Sequence, residues 1–239
     1  MKLNPKLSRR NLLIGALQGA SLVLLSGCEK LFDSLSQSKK IQSLLEIAEN
    51  GSRRAQRLVT PRNKLAKEFD AKDISPKFRA NGNPPPITMD YTTDAQNHWT
   101  KWRLEVSGLI KQPASFSLAD LKSMPSRTQI TRHDCVEGWS VIGKWKGVRL
   151  EEIMNRVQPG TNAKYVVFRC MDTDSDGVNY FESIDMVDAV HPQTILAYEL
   201  NDQPLPIDNG APLRLRVENQ LGYKHAKYVM RIEAVASLD

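Results

Sequence analysis

The chain has 239 residues, of which 41% are hydrophobic and 25% are charged, and its formal net charge is +6. These proportions are typical of a globular protein and exclude wholesale disorder and a collagen-like chain. Three cysteines are too few for a disulfide scaffold, and the sequence has neither a GxGxxG nor a GxxxxGK[ST] string for binding a nucleotide phosphate.

Residues 1–27 are predicted to be an export signal. Basic residues begin the chain, and an uncharged run from Leu12 to Gly27 follows. That run is shorter than the roughly 20 residues that a transmembrane helix needs. The Arg9-Arg10 pair is typical of a twin-arginine signal, and the sequence that ends in Cys28 is typical of a lipobox, in which Cys28 is lipidated. The alternative is a short anchor that is not cleaved.

Export has two consequences for function. Twin-arginine export carries folded protein, which favours a cofactor inserted before transport to the periplasmic side of the membrane. The four basic residues of the signal, Lys2, Lys6, Arg9 and Arg10, supply most of the net charge and leave the rest of the chain at +2. Nucleic-acid binding therefore has little support.

Residues 28–75 are predicted to form an N-terminal tether and helix. Ile41, Leu44, Leu45 and Ala48 have helical spacing, and the helix should end near Gly51. A second short helix is predicted over 63–69. The proline-rich residues 81–86 are predicted to be loop or extended chain, within a main domain that covers 76–239.

From Trp102 onwards, strands outnumber long helices and follow no βαβ rhythm, so we predict an α+β fold with a mixed sheet. Ser117 is predicted to cap a short helix that begins at Leu118. The predicted helices are 118–121, 150–157 and a short helical piece over 184–189. The predicted strands are 102–106, 129–132, 165–168, 213–217 and 228–235.

The string from His133 to Ser140 carries the first chemical signal. Its cysteine sulfur is a soft ligand suited to a heavy transition metal. On a strand, His133, Cys135 and Glu137 would share one face. Zinc is disfavoured because no second cysteine or histidine stands at ligand spacing. Two alternatives remain: Cys135 is a small buried core residue, or it pairs with Cys170 in a disulfide.

A second signal lies in residues 208–227. A glycine-proline turn precedes Arg214, and a glycine loop carries Lys224, His225 and Lys227. This arrangement suits a phosphate or another oxyanion, although basic residues beside turns are also common on surfaces.

Together, the two strings closely resemble the molybdopterin-binding domain of the sulfite oxidase family, over roughly Phe78 to Ala234. The CVEGWS form resembles the branch that includes bacterial periplasmic methionine sulfoxide reductase catalytic subunits. The resemblance implies a mixed α+β fold around a mononuclear molybdenum bound by a pyranopterin, the molybdenum-molybdopterin cofactor.

The resemblance also implies roles for single residues. Cys135 matches the cysteine that binds molybdenum, and Glu137 matches an acid held near the metal. Cys170 and Asp172 compete for one further cofactor contact. The remaining predicted cofactor-binding residues are Asn81, Asn209, Arg214, His225, Ala226 and Lys227.

One departure concerns the substrate. Sulfite oxidases usually follow the metal cysteine with an Asn-Arg-Arg run, whereas this chain has Glu137-Gly138-Trp139. A carboxylate there would repel sulfite. No CxxCH haem motif is present, so electrons are expected to come from or go to a separate partner, a membrane b-type cytochrome or a quinone-linked subunit.

The sequence therefore predicts an exported, lipid-anchored molybdenum oxidoreductase. Its expected reaction is two-electron oxygen-atom transfer, or related redox chemistry, on a small or sulfur-containing substrate. The alternatives are a sulfite dehydrogenase and a non-enzymatic lipoprotein that serves as a binding module on the same fold.

Overall fold

The computed structural model describes residues 63–173 and 177–238, together with the single residues Ile41 and Gly51. The chain divides into two units, 1–61 and 62–239, and the fold described below is that of the second unit. The predicted export signal, the lipidation site Cys28 and the helix expected before Gly51 lie outside the described residues.

Within the described ranges, short helices alternate with strands. The α-helices are α1 (Met89–Gln96), α2 (Leu118–Ser123), α3 (Leu150–Val157) and α4 (Met186–Ala189). The strands are β1 (Arg103–Gly108), β2 (Ala114–Ser117), β3 (Ser126–Asp134), β4 (Ser140–Arg149), β5 (Tyr165–Thr173), β6 (Asn179–Asp185), β7 (Ile195–Leu200), β8 (Gln203–Pro204), β9 (Arg214–Arg216) and β10 (Val229–Val235). Single 3-10 turns cover Ala71–Asp73, Ile207–Asn209 and Gly222–Lys224.

The strands form two sheets. One has the order β2-β1-β10-β5-β6, in which β1 and β10 are parallel and the other pairs are antiparallel. The other has the order β3-β4-β7-β8, with β9 also paired to β7, and is antiparallel throughout. The predicted α+β class with a mixed sheet is confirmed.

The strongest local signals gave the correct helices. The Ser117 side chain accepts a hydrogen bond from the Asp120 backbone N–H, and the Asp120 carboxylate accepts one in return from the Ser117 backbone N–H, so α2 begins with a capping box. Helix α3 has the predicted bounds. Its apolar residues Leu150, Ile153, Met154 and Val157 are buried at helical spacing, which fixes the helix against the core.

The hydrophobic core has a main part and a smaller part, with β7 between them. Leu196 belongs to the main cluster, which also contains Ile153 of α3 and Phe168 of β5. Ile195 and Ala197 point the other way, into a smaller cluster around Trp145. Because both faces of β7 are covered, its sequence does not alternate between apolar and polar residues, and only Glu199 is charged.

Two expectations about elements need correction. Residues 63–69 are not a helix: Glu68 forms an isolated antiparallel bridge with Thr131, and the Phe69 N–H donates to the Ile130 carbonyl. Pairing with the edge of β3 therefore overrides the local helical pattern. The piece at 184–189 is split, because β6 continues to Asp185, which then caps α4.

Strand β9 lies within the strand predicted over 213–217. It is buried on both faces, although its sequence alternates apolar residues with Arg214 and Arg216. Arg214 and Arg216 are both fully buried. Among the described residues, no helix is long and apolar enough to span a membrane.

Candidate active site

The segment that carries Cys135 is a tight turn. Strand β3 ends at Asp134, the Cys135 N–H donates to the Trp139 carbonyl at 2.9 Å, and the Gly138 N–H donates to the Cys135 carbonyl at 3.1 Å. Gly138 has a φ of 84°, a left-handed conformation that glycine adopts without strain. The turn therefore lifts residues 135–138 out of the sheet.

This turn overturns the expectation that His133, Cys135 and Glu137 share a strand face. His133 is fully buried behind the turn, where its Nδ1 lies 3.0 Å from Nη1 of Arg216. Burial, together with the nearby arginines, lowers the pKa of His133 and keeps its ring neutral. No group of three His, Cys, Asp or Glu side chains in the described part of the chain is arranged to hold a metal ion.

Cys135 and Glu137 instead line one cavity of about 150 Å³. Its walls come from the turn after β3, the loop before α1, the end of β5, the start of β6 and the segment between β9 and β10. The lining residues are Asn81, Gly82, Asn83, Cys135, Val136, Glu137, Asp172, Tyr180, Gly222, Tyr223, His225, Ala226 and Lys227. The structure thus brings together most of the residues predicted from the sequence.

Glu137 is held at the cavity by an indole that sequence reasoning did not select. The Trp139 Nε1–H donates to Oε2 of Glu137 at 2.8 Å. The Arg79 guanidinium carbon lies 5.0 Å from the centroid of the Trp139 ring. The Cys135 thiol is free and half-buried beside them. A soft sulfur ligand and an oriented carboxylate therefore occupy the same side of the cavity.

Arg214 joins two predicted cofactor residues from beneath the cavity. Its Nη2 donates to Oδ1 of Asn81 at 2.9 Å, and its Nη1 donates to the Asn209 carbonyl at 3.0 Å. Arg214 is fully buried, and burial followed by the nearby charge of Arg216 lowers its pKa. Its partners are neutral, so an anion bound here would stabilise its charge.

Lys227 is a second cation with no carboxylate partner among the described residues. Its Nζ donates to the carbonyls of Asn83 at 2.7 Å and Asp208 at 3.1 Å. Burial, and then the charge of Arg214, lowers the pKa of Lys227 to about 8. Lys224 behaves differently, because its Nζ is paired with Glu182 at 2.6 Å and does not line the cavity.

His225 and Ala226 complete this wall. His225 Nε2 lies 3.0 Å from the Val217 carbonyl, which fixes that nitrogen as the donor and leaves Nδ1 as an unpaired acceptor. Burial lowers the pKa of His225 well below its usual range. The Ala226 carbonyl accepts from the Leu215 N–H and so ties this wall to β9.

The structure separates Cys170 from Asp172, the two competing candidates. Asp172 lines the cavity, where Oδ2 accepts a hydrogen bond from Nδ2 of Asn83 at 2.9 Å. Its Oδ1 is buried and has no partner among the residues that the structure describes. Burial raises the pKa of Asp172. Cys170 points into the main core, and burial raises the pKa of its thiol. Both Cys135 and Cys170 are free, so the disulfide alternative is wrong.

Several buried polar atoms around the cavity have no partner among the described residues. They are Oδ1 of Asp172, Nδ2 of Asn209, Nε of Arg214, Nδ1 of His225 and the hydroxyl of Tyr228. Each such atom costs free energy unless a ligand or an ordered water satisfies it. The unpaired donors and buried cations fit a phosphate, the mixed donors and acceptors fit a pterin, and the Cys135 thiol fits molybdenum. The residues present therefore fit a molybdopterin cofactor.

Comparison with known proteins gives the family. The oxidoreductase molybdopterin binding domain matches residues 91–237, more than half of the chain. The chain belongs to this family. It is therefore a molybdopterin-binding oxidoreductase of the sulfite oxidase type. Membership of this family confirms the molybdopterin cofactor predicted from the sequence.

Two relatives and one solved structure define the likeness. A protein of Azospira oryzae named as a protein-methionine-sulfoxide reductase subunit, YedZ1, is 34% identical over 94% of this chain and 80% of its own length. The protein-methionine-sulfoxide reductase catalytic subunit MsrP of Ralstonia nicotianae is 38% identical over 56% of this chain, which spans only 44% of that relative.

One solved structure with a similar fold is the sulfane dehydrogenase SoxCD of Paracoccus pantotrophus. It aligns with a TM-score of 0.53 at 20% identity and covers 58% of this chain and 39% of its own. At that identity, the likeness shows only that the two proteins share a fold.

Proposed function

We propose that this molybdopterin-binding oxidoreductase reduces an organic sulfoxide to the sulfide. The balanced reaction takes one sulfoxide, two electrons and two protons to one sulfide and one water. The observation that carries the proposal is the shared cavity of the Cys135 thiol and the Glu137 carboxylate, next to buried polar groups that fit the cofactor. The names of the relatives supply the sulfur chemistry.

In the loaded protein, molybdenum-molybdopterin would supply the two-electron oxygen-atom transfer. Sγ of Cys135 would hold the metal. The residues proposed to hold the pterin and its phosphate are Asn81, Asp172, Asn209, Arg214, His225, Ala226 and Lys227. Within the described part of the chain, Arg214 and Lys227 pair with no carboxylate, so we assign them to the phosphate charge.

Glu137 is proposed to deliver protons. Its Oε2 accepts the hydrogen bond from Trp139, which leaves Oε1 as the oxygen that carries a proton to the departing oxygen of the substrate. Because its side chain is exposed at the cavity, it can be reprotonated from solvent between turnovers.

In its ionised form, after it has given up its proton, the same carboxylate disfavours sulfite as a substrate. Two like charges about 4 Å apart at an effective dielectric of about 20 repel by about 4 kcal/mol. A sulfoxide is neutral and escapes this cost. A sulfite dehydrogenase is therefore the second candidate function.

Export, anchoring and electron supply are part of the proposal. We infer that the protein travels folded by the twin-arginine route, is lipidated at Cys28 and works at the periplasmic face of the cytoplasmic membrane. The electrons would come from a membrane b-type cytochrome or a quinone-linked subunit. Relatives named as subunits support a separate partner. Replacing Arg9 and Arg10 with lysine should strand folded protein in the cytoplasm, whereas normal export of that variant would contradict this route.

The function is tested on full-length protein made in a host that synthesises molybdopterin. Oxidation of reduced benzyl viologen is followed with dimethyl sulfoxide and with methionine sulfoxide, and reduction of ferricyanide is followed with sulfite. We expect turnover with the sulfoxides, and none in a Cys135→Ser control. Sulfite turnover without sulfoxide turnover would replace the proposal with the dehydrogenase. If molybdenum-loaded protein turned over none of these substrates, the sulfoxide proposal would be rejected.

A further inference from the structure

Two exposed apolar side chains stand at the mouth of the cavity. Val136 is 64% exposed and Tyr223 is 49% exposed, and both line the cavity that also contains Cys135 and Glu137. Leaving apolar surface in water is unfavourable, and apolar groups at the opening of a pocket often mark a ligand contact. Cofactor binding as argued above uses neither side chain.

Val136 and Tyr223 belong to two turns that are far apart in sequence but that meet at the end of β3. The turn Gly222–Lys224 lies directly on the end of β3, because a Cβ at Gly222 would stand 2.6 Å from ring atoms of His133 and 3.1 Å from the Asp134 carbonyl oxygen. Only glycine permits this approach. The turn is thereby placed beside the Cys135-Val136 step.

The turn is also fixed from its other side. The Tyr180 hydroxyl donates to the Tyr223 carbonyl at 3.2 Å, and Nζ of Lys224 donates to Glu182 at 2.6 Å and to the Ser183 carbonyl at 3.0 Å. These contacts anchor the turn to β6. The Tyr223 ring is therefore presented at the cavity by a constrained backbone.

We propose that Val136 and Tyr223 form an apolar clamp that binds the organic substituent of the substrate. The clamp flanks Cys135, so a substituent held there would leave the sulfur-bound oxygen near the thiol and Glu137. This inference rests on the proposed function and adds a substrate class: neutral sulfoxides with an alkyl or aryl group, in preference to small sulfur oxyanions.

The clamp has a measurable signature. Each methylene removed from water contributes about 0.8 kcal/mol, which corresponds to about fourfold in affinity. Methyl alkyl sulfones, which have the neutral polar head of a sulfoxide, are suitable binding probes. Their affinity should increase about fourfold for each added methylene until the clamp is filled.

The test measures binding of dimethyl, methyl propyl and methyl pentyl sulfone to molybdenum-loaded protein by calorimetry. The variants are Tyr223→Ser and Val136→Thr. The second keeps the side-chain shape but replaces one methyl group with a hydroxyl. Phe181→Ser is the matched control, because Phe181 is also an exposed aromatic residue, at 53%, but does not line the cavity. Molybdenum content and circular dichroism verify that each variant is folded and loaded.

We expect the chain-length dependence to survive in Phe181→Ser, to vanish in Tyr223→Ser and to weaken in Val136→Thr. Equal affinities for all three sulfones in the unaltered protein, no sulfone binding, or an equal loss in the Phe181 control would overturn the clamp. Chain-length-dependent binding in a protein that turns over no sulfoxide would retain the clamp and reject only the proposed reaction.

Discussion

Lys227 should make the stability of the cofactor-free protein depend on pH in a defined direction. Its pKa is lowered from 10.5 to about 8, first by burial and then by Arg214, and its side chain is only 6% exposed. Below pH 8, the folded and unfolded states both carry the proton, so the folded state bears the full cost of a poorly solvated charge. Between pH 8 and pH 10.5, the unfolded state binds more protons, and stability must rise with pH.

The size of the effect follows from the shift. One pKa unit is about 1.4 kcal/mol, so the charge costs about 3 kcal/mol at neutral pH. About 2 kcal/mol of this should be recovered between pH 8 and pH 10, with some reduction from solvent screening near Nζ.

Cys170 acts in the opposite direction, because burial raises the pKa of its thiol above 9.0 and stability falls as pH passes that value. The two effects partly cancel in the unaltered protein above pH 9. Comparison with Lys227→Met removes Cys170 from the balance, since the thiol is present in both proteins. Losing the hydrogen bonds to Asn83 and Asp208 shifts the difference between the two proteins by the same amount at every pH. It therefore leaves the pH dependence of that difference unchanged.

The assay is urea unfolding of cofactor-free protein and of its Lys227→Met variant at pH 7.5, 8, 9 and 10 under reducing conditions. The free energy of unfolding of the unaltered protein, minus that of the variant, should rise by about 2 kcal/mol from pH 8 to pH 10. In the loaded protein, the cofactor phosphate should restore the pKa of Lys227 and flatten this difference. A difference that does not change with pH in the cofactor-free pair would refute the destabilised charge.

The remaining predictions concern the metal ligand, the proton donor, the turn and the anchor. Cys135→Ser should weaken or abolish metal-associated absorbance, because oxygen is a harder ligand than sulfur; an unchanged spectrum would exclude ligation by Cys135. Glu137→Gln should keep its molybdenum content but lose about 10²- to 10⁴-fold in turnover, whereas full activity would make the carboxylate a bystander. Gly222→Ala should cost about 1–3 kcal/mol in urea unfolding through its clash with His133, and an unperturbed variant would contradict the close packing. Cys28→Ser should release the protein from membranes, as fractionation can measure; continued membrane association would point to an uncleaved anchor.

The sequence was most informative where structure is local. Ser117 and Asp120 lie three residues apart, so their reciprocal hydrogen bonds and the start of α2 could be predicted from spacing alone. The apolar spacing within Leu150–Val157 likewise predicted α3, because one turn of helix repeats every 3.6 residues. The order of the sequence motifs also indicated the family and a set of candidate site residues that span much of the chain.

Tertiary packing decided what those candidates do. Cys170 and Asp172 lie two residues apart and could not be separated from sequence, but the structure turns one into the core and the other to the cavity. The alternation from His133 to Glu137 failed because the turn after Asp134 ends the strand. Lys224, which the loop pattern suggested as an anion-binding residue, is instead paired with Glu182, 42 positions away in the sequence.

Tertiary packing also explains why Tyr228 and Tyr223 could not be selected from the sequence. Tyr228 gave no signal, because its buried hydroxyl and its φ of 54° depend on the neighbouring strands and loops. From the sequence, Tyr223 is an ordinary loop residue. Only the packing of Gly222 against the end of β3 places the Tyr223 turn beside the cavity. The sequence by itself determined which local elements form and which chemical groups are available. Burial and long-range packing determined which groups share a cavity, because contacts between distant segments are set by the whole fold.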